Sequence, residues 1–438
     1  MKSRTLSVSL ILISLLISGL TSSLLAQSNP MFIPLSGGAK AALYRPDGIP
    51  SPRVGVLTVH RTSNKMASRE CRELSKRGFA VLCLNTRFEN NEALIEWEKI
   101  ALDVKQGVEY LKNQQRVSKV MLYGHSGGGA TTTFYQAVAE NGPAYCQGPN
   151  KLSQCDNSLT GLPPADGLLL VDAHPAIAVN ALRAINPAVF NQQRPDLIDP
   201  ELDPFNPANG YNPDGPSHYS AEFQKRYTAA QAKRLNEWID RALLMRDLIR
   251  QGKWIYPDND SIIIPRANDR ATNIFSMDPS ILCCTNKPHK LLKNDGTIIT
   301  EIIRSIRPPD NSRARLNPTF DIGARVLTVT SFLTANAIRA TDSIDYSKID
   351  WCSTNNSVPC ALRSITIPLL IAAMEAHYFI SDSEFFYENA RSKDKDFITI
   401  EGAVHGITPC TECEGGPYNN SVKNYFDYAA NWINTRFP

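Results

Sequence analysis

Beyond Ala26 this sequence has no apolar run long enough to span a bilayer. It has no low-complexity tract, and no Gly-Lys-Ser or Gly-Lys-Thr follows its glycine-rich stretch, which disfavours a phosphate-binding loop. Charge is nearly balanced: the formal net charge is +3 over 438 residues, and two of the positive charges, Lys2 and Arg4, fall in a segment expected to be removed. That balance gives no electrostatic ground for a nucleic-acid or polyanion partner. Cys410-Thr-Glu-Cys413 has no second paired motif to complete a zinc site, so no metal is expected, and no cofactor either. With 42% apolar residues the chain is an ordinary globular protein that can bury a large core, as one elaborated α/β domain or as a core plus a cap.

The first residues show a short basic start, an apolar run from Leu6 to Leu20, then small residues and Ala26-Gln27. This predicts a signal peptide over residues 1–26, and serines interrupting the apolar run argue against a retained membrane anchor. No cysteine stands at the cleavage point, which argues against a lipoprotein. A secreted or periplasmic chain gives meaning to its ten cysteines, an even number suited to disulfides. Cys71 and Cys83, Cys146 and Cys155, Cys352 and Cys360, and Cys410 and Cys413 lie close enough in sequence to tie local loops. The adjacent Cys283 and Cys284 are not expected to bond each other.

Taken in order, Met31 to Leu35 and Lys40 to Arg45 predict an antiparallel hairpin. Val54 to Val59 and Phe79 to Leu84 are near-continuous apolar runs, as buried parallel strands are. Between them residues 66–77 carry a helical pattern. Trp97, Ile100, Ala101, Val104, Val108 and Leu111 mark one face of a long amphipathic helix. Gly167 to Asp172 is a sixth strand. The alternation then breaks: residues 186–217 are crowded with Pro, Asn and Asp, a helix spans Ser220 to Gln251, and residues 253–361 show only short pieces. Strand and helix return at Ile365 to Met374, Ser383 to Ser392, Phe397 to Gly402 and in a last helix. The expected architecture is a mostly parallel sheet with helices on both faces, a core of residues 27–173 and 362–438, and a mainly helical cap of residues 174–361 inserted after the sixth strand.

The chemistry concentrates at Lys119 to Gly129. An apolar strand runs into Gly124-His125-Ser126-Gly127-Gly128, and a helix-like segment follows from Ala130. The G-x-S-x-G places Ser126 on a tight turn with its hydroxyl proud of the sheet edge, between glycines that avoid collision with strand and helix. A serine hydroxyl needs a positioned base. His405, in a glycine-flanked loop just past a late strand, is the expected one.

With these pieces the chain resembles the α/β-hydrolases over residues 31–173 and 362–438, with Gly124, His125, Ser126, Gly127 and Gly128 as the nucleophile elbow and His405 as the late histidine. The resemblance implies a Ser-acid-His hydrolase, most often of carboxylic esters, and an oxyanion hole from the backbone N–H groups of Arg61 and Gly127. Arg61 stands where glycine is usual. The family's acid commonly follows the seventh strand, but that stretch here is Met374-Glu375-Ala376-His377, without an aspartate. Asp172, closing the sixth strand, is the preferred acid, with Glu375 as the alternative and Asp382 and Glu384 behind it. The expected partner is a small-molecule ester. A catalytically silent binding protein on the same fold, or a hydrolase of amides or lactones, stays open.

Overall fold

The computed structural model describes residues 30–49, 52–269 and 273–438, and the expected signal peptide lies outside them. Twelve strands occur among the described residues: β1 (Met31–Pro34), β2 (Lys40–Tyr44), β3 (Val54–His60), β4 (Ala80–Asn85), β5 (Lys119–His125), β6 (Gly167–Val171), β7 (Ser261–Ile264), β8 (His289–Leu292), β9 (Ile298–Glu301), β10 (Arg325–Thr328), β11 (Leu369–Met374) and β12 (Lys395–Ile400).

Every residue of β3 is buried, as a strand covered on both faces should be. Its side chains alternate between two cores. Leu57 and Val59 meet Leu82, Leu122 and Phe134 on one side, while Val56 meets Val81, Tyr123 and Phe426 on the other. The first core is closed by α2 (Trp97–Lys112) and α3 (Gly128–Asn141), the second by α1 (Arg69–Ser75) and by a last helix, Ser421–Arg436.

The main sheet has ten strands in the order β1-β2-β4-β3-β5-β6-β11-β12-β8-β9. β1 with β2, and β2 with β4, are antiparallel, and the run from β4 to β8 is parallel. From β3 the chain goes outward to β4 on one side and to β5 on the other, so the carboxyl ends of β3 and β5 flank a topological switch point. This strand order, with a strand, sharp turn and helix at β5 and α3, is the α/β-hydrolase fold. The helix after the turn starts at Gly128, two residues before the apolar pattern suggested.

Residues 174–361 hold α4 (Ile177–Ala184) and α5 (Ala221–Arg250), plus a small antiparallel sheet of β7 and β10. Trp238, Ile239 and Met245 of α5 pack with Val179, Leu182 and Phe332 in a separate core. Phe223 and Tyr227 stack with Tyr219 in another. Two strands of this stretch, β8 and β9, join the main sheet beyond β12, which the sequence reading did not foresee. Each has four residues and β9 is wholly exposed, so neither carries the apolar run that betrays a buried strand.

All four local cysteine pairs form disulfides. The expectation for Cys283 and Cys284 is corrected, for they are bonded to each other. Their Cα atoms are 3.7 Å apart across a single peptide unit, and Leu282 just before them has a left-handed φ of +52°.

One buried ion pair ties α4 to the helix α6 (Ile380–Asn389). Arg183 Nη1 and Nη2 donate to the two Asp382 oxygens at 2.9 and 3.1 Å, and the Tyr346 hydroxyl donates to the same carboxylate at 3.0 Å. Both side chains are essentially inaccessible, at 1% and 0%. Removing the carboxylate would leave a buried guanidinium without its counter-charge. Asp382→Ala is therefore expected to lower unfolding stability by about 3–5 kcal/mol, read as a shifted urea midpoint; a loss below about 1 kcal/mol would show that the pair does not hold these helices.

Candidate active site

Five of the seven histidines stand at or just past strand ends on one edge of the sheet: His60 closing β3, His125 closing β5, His174 after β6, His377 after β11 and His405 after β12. Ser126 and Asp172 stand among them. Ser126 occupies the turn with a left-handed φ of +58°, its N–H donating to Val171 O and its carbonyl accepting from Gly129 N, both at 3.1 Å. The flanking glycines are required by close backbone approach. A Cβ at Gly128 would lie 2.3 Å from Val59 O, and one at Gly124 would lie 2.7 Å from the Gly129 Cα.

Asp172 also has a left-handed φ, +42°, and is completely buried. Its N–H donates to Ala372 O at 2.6 Å, and its Oδ1 accepts from Met374 N at 3.3 Å. These bonds turn Oδ2 toward His405, whose Nδ1 lies 2.6 Å away. The other ring nitrogen, Nε2, is 2.8 Å from Ser126 Oγ. The structure thus joins Ser126, His405 and Asp172 in one hydrogen-bonded chain. Burial pushes the Asp172 carboxyl up, but its interactions with His377 and His405 prevail and hold it well below the usual carboxylate range.

His405 is fixed by its loop and by the serine turn. His125 donates Nε2–H to the His405 carbonyl at 2.7 Å, so the elbow residue before the serine anchors the loop opposite. Burial, then the neighbouring charges of His405 and Lys65, lower the His125 pKa to about 4 and keep it a neutral donor. At the start of the loop Gly402 has φ +61°, and a Cβ there would overlap the Tyr418 ring. The disulfide Cys410–Cys413 lies just beyond, where Cys410 N donates to Gly402 O at 2.7 Å.

Glu375 does not reach His405. Its Oε2 accepts from Gly402 N at 2.8 Å, beneath the loop. Glu384 accepts from the N–H groups of Asn286 and Lys287, and His289 Nε2 lies 3.0 Å from it. Asp382 is the partner of Arg183. Arg61 keeps its side chain on Glu92, Nε lying 3.0 Å from both carboxylate oxygens, and its carbonyl accepts from the Thr86 hydroxyl at 2.5 Å. His60 Nδ1 accepts from Thr62 N and Ser63 N at 3.1 and 2.9 Å, which shapes the loop that presents the Arg61 backbone.

Two further histidines touch the chain. His377 Nδ1 is 2.8 Å from the same Asp172 Oδ2, outside hydrogen-bonding geometry, and its ring stacks on His405 with centroids 4.5 Å apart. His174 Nε2 lies 3.0 Å from Ser126 Oγ. Neither was singled out from the sequence, although the repeated appearance of histidine at strand ends was a readable signal. Asp172, His377 and His405 also bring three ligand-type atoms within 4.8 Å. Of these three, His405 Nδ1 and Asp172 Oδ2 are joined by a hydrogen bond of 2.6 Å.

Above Ser126 a cavity of about 570 Å³ opens, lined by His60, His174, His377 and His405 and by residues 174–361, including Asn180, Asn268, Asp269, Arg313 and Asp321. Phe275, Ile322 and Tyr378 are its apolar or aromatic members. The aromatic residues Phe205, Tyr211, Phe223 and Trp238 pack elsewhere in their own cores. Among the described residues no helix is long and apolar enough to cross a membrane.

No protein-family model and no curated protein matches the chain. Solved structures do align along most of it. Est1E from Butyrivibrio proteoclasticus is 12% identical, with 93% of this chain and 99% of that one covered and a TM-score of 0.38. A soluble variant of monoglyceride lipase from Saccharomyces cerevisiae is 13% identical, with 94% and 96% covered and a TM-score of 0.41. Brefeldin A esterase, a bacterial homologue of human hormone-sensitive lipase, is 11% identical, with 98% and 78% covered and a TM-score of 0.37. The fold assignment stands on the strand order and the serine turn themselves.

Burial is the main reason the Glu375 pKa rises to about 7, outweighing the Gly402 N–H that would lower it. Below that value the native protein keeps a proton that the unfolded chain has already lost, so the associated stability is present at low pH and fades as pH rises through 7. Stability is expected to fall on the order of 2 kcal/mol between about pH 5 and 8, and Glu375→Gln, which retains an acceptor for Gly402, is expected to flatten that slope. Equal slopes for the two proteins in urea unfolding would refute the assignment.

Proposed function

We propose that this α/β-hydrolase fold works as a secreted or periplasmic serine hydrolase of small, polar carboxylic esters, with the parts of residues 174–361 outside the sheet strands β8 and β9 as a cap over the site. The observation that carries the proposal is the continuous path from Asp172 Oδ2 to His405 Nδ1, 2.6 Å, and from His405 Nε2 to Ser126 Oγ, 2.8 Å. In the proposed reaction His405 takes the serine proton while Oγ bonds to the substrate carbonyl carbon. Asp172 holds the tautomer that leaves Nε2 free to accept and stabilises the imidazolium that forms. The carbonyl oxygen, now negative, receives the N–H groups of Arg61 and Gly127. Collapse expels the alcohol with the proton returned by His405, and water, activated by the same base, releases the acid.

The cavity lining supports the substrate class. A long alkyl chain laid against Arg313, Asp269 and Asp321 would strip those groups of water without replacing its hydrogen bonds. Short acyl groups and polar alcohols leave those groups solvated or bonded.

An active-site phosphonate is expected to label the protein at Ser126, and Ser126→Ala to lose about 10⁴-fold or more in kcat/KM; unlabelled protein together with full turnover by the alanine variant would sink the hydrolase proposal. In a series of aryl esters, kcat/KM is expected to be highest at two to four acyl carbons and about tenfold lower or worse by eight or more. A rise with chain length would overturn the polar-substrate part alone.

A further inference from the structure

We infer that His174 is a further catalytic residue of the reaction proposed above, a neutral imidazole whose Nε2–H donates to the Ser126 oxygen as charge develops there.

The nucleophile has two imidazoles on it, and they are backed differently. His405 Nε2 is 2.8 Å from Oγ and His174 Nε2 is 3.0 Å from it. A hydroxyl has one proton to give. His405 Nδ1 faces the Asp172 carboxylate, which accepts, so the His405 proton sits on Nδ1 and Nε2 is the acceptor of the serine proton. The second imidazole can then bond to Oγ only by donating. Its other nitrogen agrees: Asn180 Nδ2, an amide donor, lies 2.6 Å from His174 Nδ1, which must be the bare nitrogen, and the ring proton is left on Nε2. A carboxylate behind one ring makes a base; an amide N–H behind the other makes a donor.

The surroundings keep His174 uncharged. Burial first, then the charges of His405, Arg61 and His377, push its pKa well below the ordinary value, against a weaker opposing pull from Asp172. His60 is the other titratable group facing it, and it too is held neutral by burial. Position is set by the backbone, for His174 N donates to Ser126 O at 3.1 Å, and by the ring of Phe379, with centroids 5.1 Å apart. Because Asp172 and His174 are separated by one residue, the end of β6 supplies both the acid and the donor.

The proton of His174 never leaves it. During attack the Oγ–C bond forms, the serine proton moves to His405 Nε2, and the carbonyl π pair goes to the oxyanion. Oγ is most basic between losing its proton and completing the bond, so the donor contributes most at the transition state and little to the neutral ester that follows. Deacylation reverses the sequence, and Oγ passes through the same charged stage.

The test compares Ser126→Ala, His174→Ala, His174→Gln and Asn180→Asp in the full mature protein, on one short aryl ester at pH 8, with phosphonate labelling rates and thermal melts alongside. His174→Ala is expected to lower kcat and the labelling rate about 10- to 100-fold with KM nearly unchanged, and His174→Gln, whose amide N–H occupies similar space, to recover part of the loss. Asn180→Asp keeps the ring but replaces the donor on Nδ1 by an acceptor, drawing the proton off Nε2. It is expected to cost a similar factor, which a ring serving only as packing would not show. If His174→Ala misfolds, His174→Gln and Asn180→Asp decide. The inference is overturned if the folded variants stay within about twofold of the parent, or if His174→Ala loses as much as Ser126→Ala, which would make it the base. It rests on the hydrolase proposal: turnover surviving Ser126→Ala overturns both, whereas turnover lost there but kept in the His174 and Asn180 variants overturns this one only.

Discussion

A carboxylate with no exposure at all, at the end of a central strand, must find partners or go uncharged, and the neighbourhood of Asp172 is arranged around that requirement. Its left-handed backbone turns the side chain out of the sheet. Met374 N–H from the next strand takes one oxygen, and two imidazoles approach the other at 2.6 and 2.8 Å. The loops after β11 and β12 are thereby drawn to the same point, and His405 is carried over Ser126. The loop bearing His405 is then fixed independently by His125, Gly402 and the Cys410–Cys413 link. In the proposed reaction a base held by this many bonds would need little reorganisation when a proton moves onto it.

Much of this edge could be read in advance because its signals are local. Gly124 to Gly128 announces a tight turn by composition, and the apolar runs before Ser126, Asp172 and His405 mark strands whose ends share one edge. What could not be read was pairing between distant residues. Nothing local says that Asp172 and not Glu375 reaches His405, since both end buried strands; the difference is that Glu375 is occupied by Gly402 N–H on the underside of the loop. His174 and His377, and the partner of the elbow residue His125, escape a local reading for the same reason, as each contact is made across the sheet edge. The strands β8 and β9, at four residues each, are too short to stand out as a sustained apolar run.

The stretch inserted between β6 and β11 shows a division of labour that composition alone obscures. Its large aromatics stack on one another and close its own cores. Apart from His174, Phe275 and Ile322, the side chains it turns to the cavity above Ser126 are amides, arginines and carboxylates. Arg183 lines the cavity while paired to Asp382, and Arg313 donates to the Asp269 carbonyl at 2.9 Å, so the polar wall is tied down and does not wave in solvent. A wall of this kind selects by hydrogen-bond matching more than by apolar volume.

The crowding of imidazoles at one edge sets its own electrostatic limit. His174 and His377 lie with ring centroids 5.9 and 4.5 Å from His405, and His125 lies 4.9 Å away. Two imidazolium charges at such separations in a poorly solvated site repel by several kcal/mol at an effective dielectric near ~20, while a single buried carboxylate offers compensation for only one. Burial and mutual repulsion accordingly lower the pKa values of His60, His125, His174 and His377. His405 alone has its Nδ1 hydrogen-bonded to Asp172, at 2.6 Å, and the lowered pKa values of its four neighbours favour their neutral form. In that form a histidine has one N–H and one lone pair, so its role follows from which nitrogen its other partner has claimed. The carbonyl of His405 claims the Nε2 proton of His125, and the amide of Asn180 claims the Nδ1 lone pair of His174. The five rings are chemically alike, and their functions are separated by the hydrogen bonds behind them.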